Sequence, residues 1–170
     1  MRLVHDFLEL SRVHTGKMKL NLEFVRIDDL VKDVVDILSV TYRDRKLRLN
    51  GKTEGLVLAD KDRITQVIIN LVTNAIKYSP PDKEIIIHLQ SDSKKVTIGI
   101  QDFGRGIDPA FHKKIFNQFY QIDYSSPNNA GLGVGLFITS YIVKIHGGKI
   151  WINSQIGRGS TFYFTLPVSH

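Results

Sequence analysis

The sequence predicts an α+β fold, with helices packed on one face of a mostly antiparallel sheet. Three observations predict it. Apolar residues recur with a period near 3.6 in some segments and near 2 in others, and the two kinds alternate along the 170 residues. The strand-like segments come in neighbouring pairs joined by short turns. Each helical segment is apolar on one side only, so each needs a surface to cover.

The elements follow in order. Residues 2 to 14 carry Leu3, Val4, Phe7, Leu8 and Leu10 at helical spacing, and Gly16 ends that helix. Met18, Leu20, Leu22 and Phe24 alternate with polar residues, which predicts a half-buried strand. Asp28 is a good N-cap for a helix running to about Tyr42, with Leu30, Val31, Val34, Val35, Ile37 and Leu38 as its apolar face. Short strands are expected at 46–50 and 56–59. Asp60 or Asp62 then starts a helix that stops before Pro80-Pro81. Strands at 84–90 and 95–101 form a hairpin across Ser91-Asp92-Ser93, and Val96, Ile98 and Ile100 share one face. A short helix at 109–116 leads into Ser125-Ser126-Pro127-Asn128-Asn129, too polar to pack and expected to be a mobile loop. A helix from Leu136 to His146 ends at Gly147-Gly148. Strands at 149–153 and 161–166, joined across Gly157-Arg158-Gly159, close the chain.

Composition narrows the function. The length suits one domain with a short extra element at one end. The chain has no cysteine, which removes disulfides, thiolate metal sites and cysteine nucleophiles. No apolar run approaches the roughly 20 residues of a membrane helix, so a cytoplasmic segment without membrane contact is expected. Met1 runs straight into helical sequence, so the chain is expected to be a piece of something longer. The net charge of +6 raises nucleic acid as a partner. The basic residues are scattered, however, and the densest group, Arg43 to Arg48, is broken by Asp44 and Leu47. A solvated surface that favours an anionic ligand is expected, with no nucleic acid.

Four clusters carry chemistry. On the helix at 62–78, Arg63, Gln66, Asn70, Asn74 and Lys77 fall within an arc of about 80° opposite the apolar face. Asn is a poor helix former, so two of them need a reason. Their carboxamide oxygens suit a hard cation such as Mg²⁺, and Lys77 suits phosphate. A merely solvated face fits this stripe equally well. Asp102, at a strand end, precedes Gly104 and Gly106. Its carboxylate is able to accept from the amino group of an adenine ring that glycines let close, although a tight turn has the same letters. Gly131, Gly133 and Gly135 open the helix near Leu136, where freed backbone N–H groups form a phosphate cradle or simply a flexible loop. The spacing is neither a dinucleotide fingerprint nor a Walker A loop. Gly157 and Gly159 with Ser160-Thr161 form the last cluster, and a hairpin turn explains them nearly as well.

Together, and in this order, the clusters resemble the ATP-binding catalytic domain of two-component sensor histidine kinases. Asn70-Leu71-Val72-Thr73-Asn74-Ala75-Ile76-Lys77-Tyr78 is similar to that family's N box almost letter for letter. Ile115-Phe116-Asn117-Gln118-Phe119-Tyr120 is similar to its phenylalanine box, although an amphipathic helix end would look alike. The resemblance implies a two-layer α/β sandwich of the Bergerat type, three main helices over a mixed sheet, with a mobile ATP lid between about Ile115 and Gly131. It implies that Asn74 holds Mg²⁺ with support from Asn70, and that Lys77 and Tyr78 face phosphate and ribose. Asn70, Asn74 and Lys77 would be the catalytic set. Asp102 would read adenine beside Gly104, Gly106 and Ile107, and Phe119 would sit at the lid hinge. Gly131, Leu132, Gly133, Val134, Gly135 and Leu136 would close over the phosphates, with Thr161 as pocket support.

The implied reaction is transfer of the γ-phosphoryl group of Mg²⁺-ATP to a histidine, for relay to a response regulator receiver domain, within a homodimer. Related ATP-hydrolysing families carry a glutamate where Asn70 stands. An amide does not accept a proton usefully, so the site is expected to hold ATP for transfer and spare it from hydrolysis. The usual phosphoacceptor helix is missing. His5-Asp6 is the one place with an acid directly after a histidine, and it lacks the Arg and Pro that follow in the family. Residues 1–17 instead look like the end of the second dimerisation helix and a linker, and 18–168 like the catalytic domain. Gln121 stands where the family often has an arginine that contacts the γ-phosphate. That departure keeps a nucleotide-gated interaction module as an alternative, with an ATP-hydrolysing relative behind it.

Overall fold

The computed structural model describes residues 2–16, 18–122 and 132–169. The helices are α1 (Arg2–His14), α2 (Ile27–Thr41), α3 (Lys61–Tyr78) and α4 (Gly135–Ile145). The strands are β1 (Glu23–Arg26), β2 (Leu47–Gly51), β3 (Leu56–Ala59), β4 (Ile85–Ser91), β5 (Lys95–Asp102), β6 (Ile150–Gln155) and β7 (Gly159–Pro167). The polar stretch at 125–129 lies outside the described residues.

The main sheet has the order β2-β4-β5-β7-β6. β2 runs parallel to β4, and every other pair is antiparallel. The parallel pair follows from connectivity: β3 and α3 intervene between the two strands, so the chain returns in the same direction. Register puts Ile87 opposite Ile100 and Ile98 opposite Phe164. These residues, fully buried with Ile85 and Leu166, form the sheet's inner layer. Ile64, Ile68 and Leu71 of α3, Leu30, Val31 and Val34 of α2, and Ile138 and Ile142 of α4 complete one core. The helices thus sit on one face of a mostly antiparallel sheet, the fold class that the periodicities predict.

Local departures have physical causes. The strand expected from Met18 is only four residues long, Glu23–Arg26, and it pairs with β3 in a separate two-stranded sheet. Its burial is the reverse of that expected: Val25 packs inward opposite Val57, and Phe24 is 67% exposed. Before it, the Asn21 N–H donates to Asp60 Oδ2 instead of to a ladder. Asp28 does not cap α2. The helix starts at Ile27 with Arg26 as the uncapped boundary, because Asp28 Oδ1 accepts from the Thr53 N–H (2.8 Å) and hydroxyl (2.9 Å). Ile37, assigned to the core face of α2, is exposed, and Ile27 is buried instead. Among the described side chains of α1, from Phe7 onward, Leu10 and Val13 are buried, whereas Phe7 and Leu8 face water. The short helix at 109–116 is two 3-10 turns, Pro109–Phe111 and Lys114–Phe116.

Asp60 is the cap of α3, its Oδ1 accepting from the Arg63 N–H at 3.0 Å. The other end of α3 is held from outside. Arg45 Nη2 donates to the carbonyls of Ile76 and Ser79, 3.0 Å each, a cation on the negative end of the helix.

Candidate functional site

One cavity of about 430 Å³ opens between the C-terminal half of α3, the end of β5 and the start of α4. α3 brings Asn70, Asn74, Lys77 and Tyr78 to its wall. One end of the cavity is set by Asp102, the last residue of β5, opposite Ser160 in the sheet register. The segment leading into α4 contributes Leu132, Gly133 and Val134, and the start of the helix contributes Gly135 and Leu136 with the positive end of its dipole.

Asp102 is 6% exposed. Burial pushes its carboxyl above the ordinary 3.8, while the backbone N–H groups of Gly104 and Ser160 pull the other way. The Gly104 N–H donates to Oδ1 at 2.8 Å and so fixes the rotamer of the carboxylate. Glycine is required at 104, because a Cβ there would stand 2.3 Å from the Tyr78 carbonyl oxygen. Gly106 lines the cavity at φ +72, packed so close to Gln155 that a Cβ would meet its carbonyl oxygen at 2.0 Å. Ile107 lies beside it on the wall.

At the other end, Asn70 Nδ2 donates to the Thr139 hydroxyl on α4 at 2.8 Å. A Cβ at Gly135 would stand 2.8 Å from Asn70 Oδ1, so the amide oxygen occupies the space that the missing side chain leaves. Lys77 Nζ sits 4.9 Å from the centre of the Tyr78 ring. The oxygen donors here are the carboxamides of Asn70 and Asn74; Gln121 brings a third carboxamide to the wall, whose one carboxylate among the described residues is Asp102. Among the described residues no three His, Cys, Asp or Glu side chains group as a metal site. A hard divalent cation here would take amide oxygens from the protein and its remaining ligands from phosphate and water, which is the habit of Mg²⁺. The residues present fit that ion in company with a polyphosphate.

The structure does not bring every predicted residue to the cavity. Gly131 lies outside the described residues. Gly104 acts from behind, through the Asp102 carboxylate. Thr161 is absent from the wall: strands alternate, so Ser160 and Phe162 point to the cavity and Thr161 points to the other face. Phe119 is half exposed at φ +61, and its neighbour Tyr120 takes the wall position against Phe111. Arg63 and Gln66, on the same polar arc of α3, turn to α1. Arg63 pairs with Glu9, which is 2% exposed and also holds Arg12 at 2.9 Å, and Gln66 accepts from Arg63. His14 closes this contact with Gln118 at 3.0 Å and an edge-on approach to Phe137. The wall also takes Tyr42, Thr73, Arg105, Ser160 and Phe162, none of which the sequence singled out as a site residue. Thr73, Arg105 and Ser160 carried a signal, since they lie inside the clusters at 70–78, 102–106 and 157–161; Tyr42 and Phe162 carried none.

A buried carboxylate, amide oxygens and a helix N-terminus thus line one cavity. Residues 59–170 match the family described as histidine kinase-, DNA gyrase B- and HSP90-like ATPase. The chain belongs to that family. It is 37% identical, over 98% of its length, to the adaptive-response sensory kinase SasA of Synechococcus elongatus, and covers 44% of that protein. It is 33% identical to the sensor protein kinase WalK of Staphylococcus saprophyticus, again over 98% of its length, and covers 28% of it. The chain therefore spans less than half of each of these relatives. Its fold superposes on full-length ShkA in complex with AMPPNP with a TM-score of 0.84 at 25% identity, over 98% of this chain and 35% of that one.

Proposed function

We propose that this chain is the ATP-binding catalytic part of a two-component sensor histidine kinase. It transfers the γ-phosphoryl group of Mg²⁺-ATP to a histidine on its dimerisation helices, for relay to a response regulator. One observation carries the reading: a buried carboxylate and a pair of carboxamides line a single cavity. Asp102 accepts from the adenine amino group, Gly104 holds that carboxylate from behind, and Gly106 and Ile107 shape the slot for the ring. Tyr78 and Lys77 face ribose and phosphate. Asn74 and Asn70 offer oxygens to Mg²⁺, which when bound neutralises phosphate charge. The first turn of α4 cradles the phosphates with backbone N–H groups. Catalysis on this arrangement is positioning and charge neutralisation. Asn70 cannot serve as a base, so water attack is not promoted.

α1 is the end of the second dimerisation helix, and 18–168 the catalytic domain. This part of the protein works in the cytoplasm, within a full-length homodimer that a membrane anchor elsewhere in the chain is free to hold. No helix among the described residues is long and apolar enough to cross a membrane. Calorimetric titration with Mg²⁺-ATP tests the site: the wild type binds and Asp102→Ala does not. Adding a dimerisation domain that bears the phosphoacceptor histidine then tests the reaction. Phosphohistidine is expected on that domain and none on this chain alone. Binding without any transfer would favour a nucleotide-gated interaction module, the reading that Gln121 supports. Steady phosphate release lost in Asn74→Ala would point to an ATP-hydrolysing enzyme.

A further inference from the structure

We propose that Thr139 is a positioning residue for the cation end of the cavity: by accepting the Asn70 amide N–H, it makes the carboxamide oxygen the atom turned to the ion. The inference rests on the Mg²⁺-ATP reading above and deepens it.

A carboxamide has two unlike ends, an oxygen that ligates a cation and an NH₂ that repels one. Whichever end faces the ion, the other must face something else. For Asn70 that neighbour is Thr139 Oγ1, 2.8 Å from Nδ2 and carried by α4. Thr139 is 2% exposed, so water is no substitute partner. Gly135 and Thr139 are one helical turn apart and lie on the same side of α4. The two grip the amide between them, the hydroxyl taking its nitrogen and the bare glycine leaving room for its oxygen. Were residue 139 apolar, either orientation of the amide would bury an unpaired polar atom, and the ligating one would lose the bond that holds it in place. The hydroxyl at 139 therefore matters through Asn70 and has no contact with nucleotide to make.

Thr139→Val keeps the shape and removes the hydroxyl, and Thr139→Ser keeps the hydroxyl. ATP affinity is measured by calorimetry in EDTA and across a Mg²⁺ series, and the Asn70 side-chain amide resonances are followed by NMR in nucleotide-free protein. In EDTA all three proteins are expected to bind ATP alike, since the adenine end is untouched. The affinity gained from Mg²⁺ should fall about tenfold in Thr139→Val and be retained in Thr139→Ser. The Asn70 amide resonances should shift in the valine variant before any metal is added. A valine variant with the full Mg²⁺ gain and unmoved amide resonances would overturn the inference while leaving the Mg²⁺-ATP reading standing. A wild type that gains nothing from Mg²⁺ would sink that reading, and the inference with it.

Discussion

Replacing Gly135 by alanine should separate the site's chemistry from the fold's stability. Gly135 opens α4 with a backbone that alanine shares, so it is not needed for conformational freedom. Alanine in a helix is favoured over glycine by up to about 1 kcal/mol. The new methyl would stand 2.8 Å from Asn70 Oδ1 and 3.3 Å from Nδ2. That is about 0.6 Å inside ordinary van der Waals contact, so the amide must yield by several tenths of an ångström. Mg²⁺ holds its oxygens near 2.0–2.1 Å, and a displacement of that size breaks an inner-sphere bond. Gly135→Ala should therefore melt at or above the wild-type temperature yet lose about tenfold in Mg²⁺-ATP affinity, about 1.4 kcal/mol. Thermal unfolding and calorimetry on the same sample read both effects. Wild-type Mg²⁺-ATP affinity would refute the placement of the Asn70 oxygen at the ion. A large loss of stability would refute the claim that this glycine serves the site and not the helix.

Other substitutions test the remaining contacts. Asp102→Asn should stabilise the protein at neutral pH, because it removes a buried charge, while weakening ATP binding about thirtyfold through loss of a charged acceptor, about 2 kcal/mol. The pH dependence has a definite sign. The folded carboxyl titrates above the unfolded 3.8, so the unfolding free energy it influences is greatest below 3.8 and falls as pH rises through the folded value. Affinity for adenine runs the opposite way and drops on acidification before an ordinary aspartate would protonate, which calorimetry across pH will show. Glu9→Ala leaves Arg63 and Arg12 without their shared carboxylate and should cost about 2 kcal/mol, read as faster amide exchange in α1 with β4 and β5 still protected. Arg45→Met removes both bonds to the α3 carbonyls and should cost about 2 kcal/mol in urea unfolding while also weakening ATP binding, since Lys77 and Tyr78 ride on that helix end.

The fold was legible where a segment's own pattern decides its state. The alternation of Val96, Ile98 and Ile100 marks β5, and the wide apolar face from Ile64 to Ala75 marks α3. It was illegible where a distant partner decides. Asp28 has the letters of a cap, but Thr53, across the loop before β3, takes its carboxylate. Leu22 and Phe24 alternate like buried residues, yet the register of Phe24 with Leu58 turns both of that pair outward and leaves Val25 and Val57 to the core. A period of two says that one face is apolar; it does not say which face meets the helices.

The same limit explains the site. Five polar residues share one arc of α3, and nothing in their spacing divides them. The partners do. Glu9 of α1 claims Arg63 and, through it, Gln66, whereas the cavity receives Asn70, Asn74 and Lys77. From Arg63 to Lys77 the helix rises about 21 Å as a single element. One polar stripe thus serves two tasks, seating α1 at its start and lining the nucleotide cavity at its end. Thr139 was invisible for a related reason. In a helix window it is one β-branched residue among Ile138, Ile142 and Val143, and only the packing of α4 on α3 gives its hydroxyl an amide to hold.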